Sequence, residues 1–198
     1  NGIPLIQIEL KQHGNSYMDA FRQVQRYMQN SKFRGLFGMV QMFVVTNGSG
    51  TRYFAADTIE RLNEQFLTRW VDKDNRPVED YIQFAKEALS IPMAHMMIGK
   101  YSVLDNSSQR LILLRPYQIH AIEAVRKASR NRQSGYIWHT TGSGKTLTSF
   151  KVTKNLLDIP SIDKTVFLID RTDLDTQTSD AFMAYAQNTD LTVLSTDN

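Results

Sequence analysis

The sequence predicts an α/β protein with a parallel sheet in its C-terminal part, and three observations carry the prediction. "GIPLIQIELK" (2–11) is a strand rich in apolar residues at Ile3, Leu5, Ile6, Ile8 and Leu10. "GMVQMFVVTNGSGTRYFAA" (38–56) sets two apolar runs around a Gly-rich turn at Asn47 to Gly50, the mark of a hairpin. Between residues 135 and 170 a short strand, a Gly-rich loop, a helix and a second strand follow one another, which is the order of a parallel crossover unit. At 198 residues the chain has room for one large domain or two small ones.

Each element has a local reason. "SYMDAFRQVQRYMQN" (16–30) predicts a helix with Ser16 as N-cap and an apolar face of Met18, Phe21, Val24 and Met28. Residues 1–57 thus form a small α/β unit. Residues 58–108 keep helical spacing with breaks near Asp72–Pro77 and at Pro92, and are expected as a helical connector ending in the polar joint "DNSSQ". Residues 109–198 open with "RPYQIHAIEAVRKASR". There Pro116 suits a first helical turn, and Ile119, Ile122 and Val125 recur every three residues. Strands are expected at Gly135–Trp138 and Thr165–Asp170, with a helix over Lys145–Leu157 between them. Trp138 and the methionines, among them Met93, Met96 and Met97, are expected in cores.

Composition removes several classes. The chain is 41% hydrophobic and 22% charged, an ordinary globular balance. It has no cysteine, which excludes disulfides, thiolate metal sites and a Cys nucleophile and fits a cytoplasmic location. No apolar run is long enough for a membrane span, and "NGIPLIQIEL" lacks the basic start of a signal peptide. A formal charge of +3 is too small to argue for nucleic acid, although Arg126, Lys127, Arg130 and Arg132 cluster. His13, His95, His120 and His139 are too scattered for a metal cage; His139 alone is placed to touch the Gly-rich loop.

That loop, "HTTGSGKT" (139–146), carries chemistry. Gly142 and Gly144 permit backbone N–H groups to turn inward on phosphate oxygens, and the following helix adds its positive end. Lys145 is placed to reach β- and γ-phosphates, and the Thr146 hydroxyl to bind Mg²⁺. The first position of the strict G-x-x-x-x-G-K-[ST] pattern is His139 and not glycine. The loop resembles motif I of superfamily 2 helicases and translocases. "RPYQ" (115–118) resembles the glutamine motif that precedes it, and "VFLIDRTDLDTQ" (166–177) resembles motif Ia, which would bring Arg171 near DNA. The resemblance implies ATP, with the Gln118 amide on the adenine edge, an assignment that suits a group offering both donor and acceptor. The implied nucleotide-binding set is Arg115, Gln118, Thr141, Gly142, Ser143, Gly144, Lys145 and Thr146.

A second signal lies in "IQIELKQHG" (6–14). On a strand Glu9 and Lys11 share a face, and a carboxylate beside an amine suits Mg²⁺-assisted phosphodiester hydrolysis. The pair alone is also the commonest form of a surface ion pair. Its context resembles the PD-(D/E)xK nuclease fold: an apolar strand precedes it, and Gln23 and Tyr27 give the "QxxxY" helix of the RecB-like branch. The aspartate of that family's "PD" would fall before Asn1.

Taken in order, "IELK", "QVQRY", "VVTNG", "RPYQ" and "TTGSGKT" resemble the restriction (R) subunit of type I restriction–modification enzymes over nearly the whole chain. The resemblance implies part of a RecB-like nuclease domain (1–57), a helical connector (58–108) and the start of a RecA-like motor lobe (109–198). It further implies ATP-driven translocation on double-stranded DNA, Mg²⁺-dependent cleavage, and methylation and specificity subunits as partners. Both chain ends read as those of a fragment. An acidic "DExH" box and a second motor lobe fall outside the chain, so by itself it is expected neither to hydrolyse ATP well nor to cut DNA. Two other readings stay open at this level: a superfamily 2 helicase or remodeller with a non-cutting N-terminal domain, and a nucleotide-binding interaction module.

Overall fold

The computed structural model describes residues 2–169 and 172–195, the side chains of 172–175 excepted. The chain divides into two compact units: Asn1–Ser102 with Leu111–Tyr117, and Val103–Arg110 with Gln118–Asn198.

The first unit is built on a three-stranded sheet in the order β1-β2-β3, with β1 at Ile6–Leu10, β2 at Met42–Thr46 and β3 at Thr51–Ala55. Strand β1 runs parallel to β2, with Glu9 opposite Val45, and β2 pairs antiparallel with β3. Helix α1 (Tyr17–Gln29) makes the crossover between β1 and β2. Ser16 caps it as expected, its hydroxyl accepting from the Met18 N–H at 3.1 Å. Phe21 and Val24 are buried, with Met18 and Met28 packed beside them against Phe43, Val45 and Phe54. Stacking of Phe43 on Phe54 and an edge contact of Phe21 on Phe54, both at 5.3 Å, fix this layer. The Asn47 side chain closes the hairpin by accepting from the N–H groups of Ser49 (3.2 Å) and Gly50 (2.7 Å).

The opposite face of the sheet is aromatic. Tyr53, Trp70 and Phe84 pack with centroids 6.1–6.3 Å apart. The Tyr53 hydroxyl donates to the Leu114 carbonyl at 2.9 Å, and burial pushes its pKa far above the usual phenol range against the opposing pull of Arg115. Tyr53→Phe leaves that buried carbonyl without its donor. The expected cost is ~1–3 kcal/mol, read as a lower urea midpoint at unchanged slope.

Residues 58–108 are less helical than the spacing predicts. A 3-10 turn at Glu64–Phe66 and a short hairpin of β4 (Trp70–Val71) and β5 (Pro77–Val78) come first. The helical breaks at 72–77 are the turn of that hairpin, with Asn75 at φ 60°. Helices follow only at α2 (Tyr81–Ala88), capped by Asp80, and α3 (Ile91–Gly99), where Pro92 starts a helix and so separates the two. Met97 is fully buried, as expected of a core methionine, while Met93 is half-buried and Met96 exposed only in part. "DNSSQ" is the turn joining β6 (Ser102–Asp105) to β7 (Arg110–Leu113), held by Asp105 accepting from both Ser107 and Ser108.

In the second unit, α4 (Pro116–Arg130), α5 (Lys145–Leu157) and α6 (Thr172–Ala186) are the regular elements. Its apolar core joins Val103, Phe150, Phe182 and Ala186. The strands expected at 135–138 and 165–169 are irregular backbone, so the second unit has no parallel sheet among its described residues. The parallel pair is β1–β2 of the first unit instead. A strand holds its conformation through hydrogen-bonded neighbours, and among the described residues no strand pairs with either segment. Trp138 is correspondingly 88% exposed and is not core. Asp170 and Arg171 lie outside the described residues. No helix among the described residues is long and apolar enough to cross a membrane.

Candidate functional site

The Gly-rich loop stands directly before α5. Gly142 and Gly144 take φ of +75° and +77°, the left-handed region that favours glycine, and Gly144 is the N-cap of α5. Space above Gly142 is open, since an added Cβ would meet no atom within 4 Å. The loop is braced from within. The Ser143 hydroxyl donates to the Thr140 carbonyl at 2.8 Å, and His139 Nδ1 lies 3.0 Å from the same hydroxyl. Lys145 is exposed and its Nζ donates to the Thr140 carbonyl at 3.1 Å. A neutral carbonyl is a weaker partner for an ammonium than a phosphate oxygen, so an arriving nucleotide can displace it. Thr141 is exposed and Thr146 half-buried beside the helix start. These groups fit a polyphosphate.

Gln118 is 3% exposed. Its Nε2 donates to Thr148 Oγ1 at 3.1 Å and lies 3.4 Å from the Gly144 carbonyl, to which the Thr148 hydroxyl also donates at 3.0 Å. The amide thus fastens the back of the loop. Thr148 escaped sequence reasoning; its only signal was a hydroxyl one helical turn beyond Gly144. Arg115 is exposed and belongs to the first unit. A Cβ at Gly144 would come 2.8 Å from Gln118 Nε2 on a backbone that disfavours side chains. Gly144→Ala is therefore expected to cost about 1–2 kcal/mol. If that cost falls on the nucleotide-ready loop, affinity drops about tenfold, measurable by titration with a fluorescent ATP analogue.

In the first unit Glu9 and Lys11 share a face of β1, as their spacing predicts, and Glu9 lies opposite Val45, whose side chain packs in the α1 layer. Lys11 Nζ donates to Glu9 Oε1 at 3.2 Å, with side chains 24% and 14% exposed respectively. The Lys11 N–H donates to the Thr46 carbonyl at 2.8 Å, so the pair sits where the parallel ladder ends. Helix α1 packs against β1 and β2 and carries Gln23 and Tyr27, both half-buried. Gln23 Oε1 accepts from Arg26 at 2.6 Å, and no hydrogen bond among the described residues joins Gln23 or Tyr27 to Glu9 or Lys11. No three His, Cys, Asp or Glu side chains gather as a metal cage among the described residues. Glu9 offers one hard oxygen donor of the kind Mg²⁺ takes, and an octahedral ion would need others.

Comparison with known proteins bears on both regions. Residues 1–62 match the family model of the type I restriction enzyme R protein N terminus, and residues 111–198 that of the type III restriction enzyme, res subunit. The type I restriction enzyme SauCOLORF180P endonuclease subunit of Staphylococcus aureus strain COL is 41% identical over 188 residues, 94% of this chain and 20% of that protein. The EcoprrI endonuclease subunit of Escherichia coli is 40% identical over 128 residues, 63% of this chain and 41% of that protein. A putative type I restriction enzyme endonuclease subunit of Methanocaldococcus jannaschii is 26% identical over 93% of this chain and 19% of its own length.

The two family matches define the class, the R and res subunits of restriction enzymes. Within that class the chain is similar, over 94% of its length, to the endonuclease subunits of type I restriction enzymes from staphylococci. It spans about a fifth of the length of the staphylococcal relatives it matches.

Proposed function

We propose that this chain carries one carboxylate–amine pair of a Mg²⁺-dependent DNA nuclease and the nucleotide loop of an ATP-driven DNA translocase. The observation that carries the reading is the Glu9–Lys11 pair, 3.2 Å apart on the helix side of β1, within the region matched by the R protein N-terminal family. On this reading residues 1–57 are the C-terminal part of a RecB-like PD-(D/E)xK domain, 58–108 a connector, and 109–198 the start of a RecA-like lobe. The substrate is double-stranded DNA. The partners are the methylation and specificity subunits of a type I complex in the cytoplasm.

Each residue then has a task. Glu9 holds Mg²⁺, which lowers the pKa of a bound water when present. Lys11 orients the Glu9 carboxylate, and its ammonium faces a developing phosphate charge. Gln23 and Tyr27 support the site from α1. In the motor, the backbone N–H groups of Thr141 to Gly144 cradle phosphates at the positive end of α5. Lys145 leaves the Thr140 carbonyl for the β- and γ-phosphates, and the Thr146 hydroxyl holds the nucleotide's Mg²⁺. Gln118 serves the adenine side. The test is to assay ATP hydrolysis and DNA cutting together in the whole subunit assembled on DNA, with Glu9 and Lys145 substituted in turn. Cutting that survives loss of the Glu9 carboxylate would leave only a motor, joined to a structural N-terminal unit.

A further inference from the structure

Beside Lys11 the first unit opens into a cleft of about 700 Å³ lined by Leu10, Lys11, His13, Asn47, Gly48, Ser49, Asp80 and Tyr81. Neither the ion pair nor the hydrophobic layers account for it. Three separate segments build its walls: the loop after β1, the β2–β3 turn and the start of α2. Hydrogen bonds tie them together. Asn47 Nδ2 donates to the Asn15 carbonyl at 2.6 Å, and the Tyr81 N–H donates to the Gly48 carbonyl at 3.3 Å. The cleft is thus preformed.

Its floor is Gly48, at φ +95°. A point one Cβ bond above that floor lies 3.7 Å from His13 Nδ1 and 3.9 Å from Tyr81 Cδ1, so the two rings flank a glycine that leaves the space between them clear. Tyr81 is 43% exposed, a large aromatic surface turned towards solvent. The one carboxylate on the rim, Asp80, is engaged in capping α2 by accepting from the Gln83 N–H at 2.8 Å. The groups facing a ligand are then an aromatic face, an imidazole, the Ser49 hydroxyl, which donates to Asn47 Oδ1 over a long 3.4 Å, and the Lys11 ammonium, which holds Glu9 Oε1 at 3.2 Å and has further N–H donors. Aromatic faces bind the π-surface of a base, and cationic and N–H donors bind phosphate.

We infer that this cleft seats an unpaired nucleotide of the DNA strand beside the scissile phosphodiester, with Tyr81 as its stacking platform and His13 as a donor to its phosphate. The inference rests on the nuclease reading of Glu9 and Lys11 and adds to it how the strand is held. Tyr81 and His13 are positioning residues: they fix the phosphate next to the Glu9–Lys11 pair and take no part in the bond change. A stacked base contributes enough that removing the platform weakens strand capture about tenfold.

The experiment uses the whole subunit in its assembled complex. With EDTA present to prevent cutting, a short single-stranded oligonucleotide carrying 5-iododeoxyuridine is irradiated and the crosslinked peptides are sequenced. A crosslink at Tyr81 or His13 supports the inference, and crosslinks confined to other segments overturn it. With Mg²⁺ restored, Tyr81→Leu is expected to raise the DNA concentration for half-maximal cutting about tenfold, and Tyr81→Phe to restore it. Wild-type behaviour of Tyr81→Leu overturns the inference while leaving the nuclease reading intact. Glu9→Gln separates the two: it should crosslink at Tyr81 and not cut. Normal cutting by Glu9→Gln sinks the nuclease reading, and this inference with it.

Discussion

Lys145→Ala is expected to reduce ATP hydrolysis by about 10²–10³-fold and to stop DNA cutting with it. The side chain is exposed at the start of α5 and holds only a loop carbonyl, so its loss leaves the fold intact. Alanine is also a better helix former, so no local instability accompanies the change. What disappears is the one cation of the loop that can follow charge onto the transferred phosphate. ATP turnover and cleavage are measured on the same assembled complex. Cutting that persists without hydrolysis would show that the nuclease does not depend on this motor. Hydrolysis that persists would remove Lys145 from the site.

Glu9→Gln gives the opposite pattern: cutting falls by about 10²–10⁴-fold while ATP hydrolysis continues. Glutamine keeps the shape of the side chain, so the α1 layer of Phe21, Val24 and Val45 is undisturbed. It removes the charge that both Lys11 and a metal ion require. The ion pair itself is partly exposed and contributes little to stability, which keeps the two effects apart. Supercoiled plasmid and ATP turnover assays on one preparation decide it. If both activities fall together, Glu9 is a structural residue of the first unit.

The parts legible in the sequence were those fixed by near neighbours. Ser16 caps α1 and Asn47 closes the hairpin because each interaction spans a few residues, and Phe21 and Val24 enter the core because helical spacing puts them on one face of α1. The loop is also local: two glycines and a lysine in six residues suffice. Partners far apart in the chain were not legible. "GYIW" and "TVFLI" have strand composition, yet strand pairing is a property of the neighbour as much as of the segment, and both are irregular here. The same holds for Gln118. Its residue type and distance from the loop suggest the adenine edge, but no local pattern announces that its Nε2 meets Thr148 and Gly144, some thirty residues on. The cleft beside Lys11 draws on residues from 10 to 81, and no window of the sequence contains it.

The bracing of Gly144 by Gln118 and Thr148 has a thermodynamic side. A loop that is already shaped before its ligand arrives has lost its freedom during folding and not during binding, so nucleotide affinity is not reduced by the entropy of ordering it. The consequence is a linkage between fold and ligand. Anything that loosens the start of α4, however far from the phosphates, returns disorder to the loop and is felt as weaker binding. Conversely, a bound nucleotide should make the contact between α4 and α5 one of the slowest parts of the second unit to exchange its amide protons.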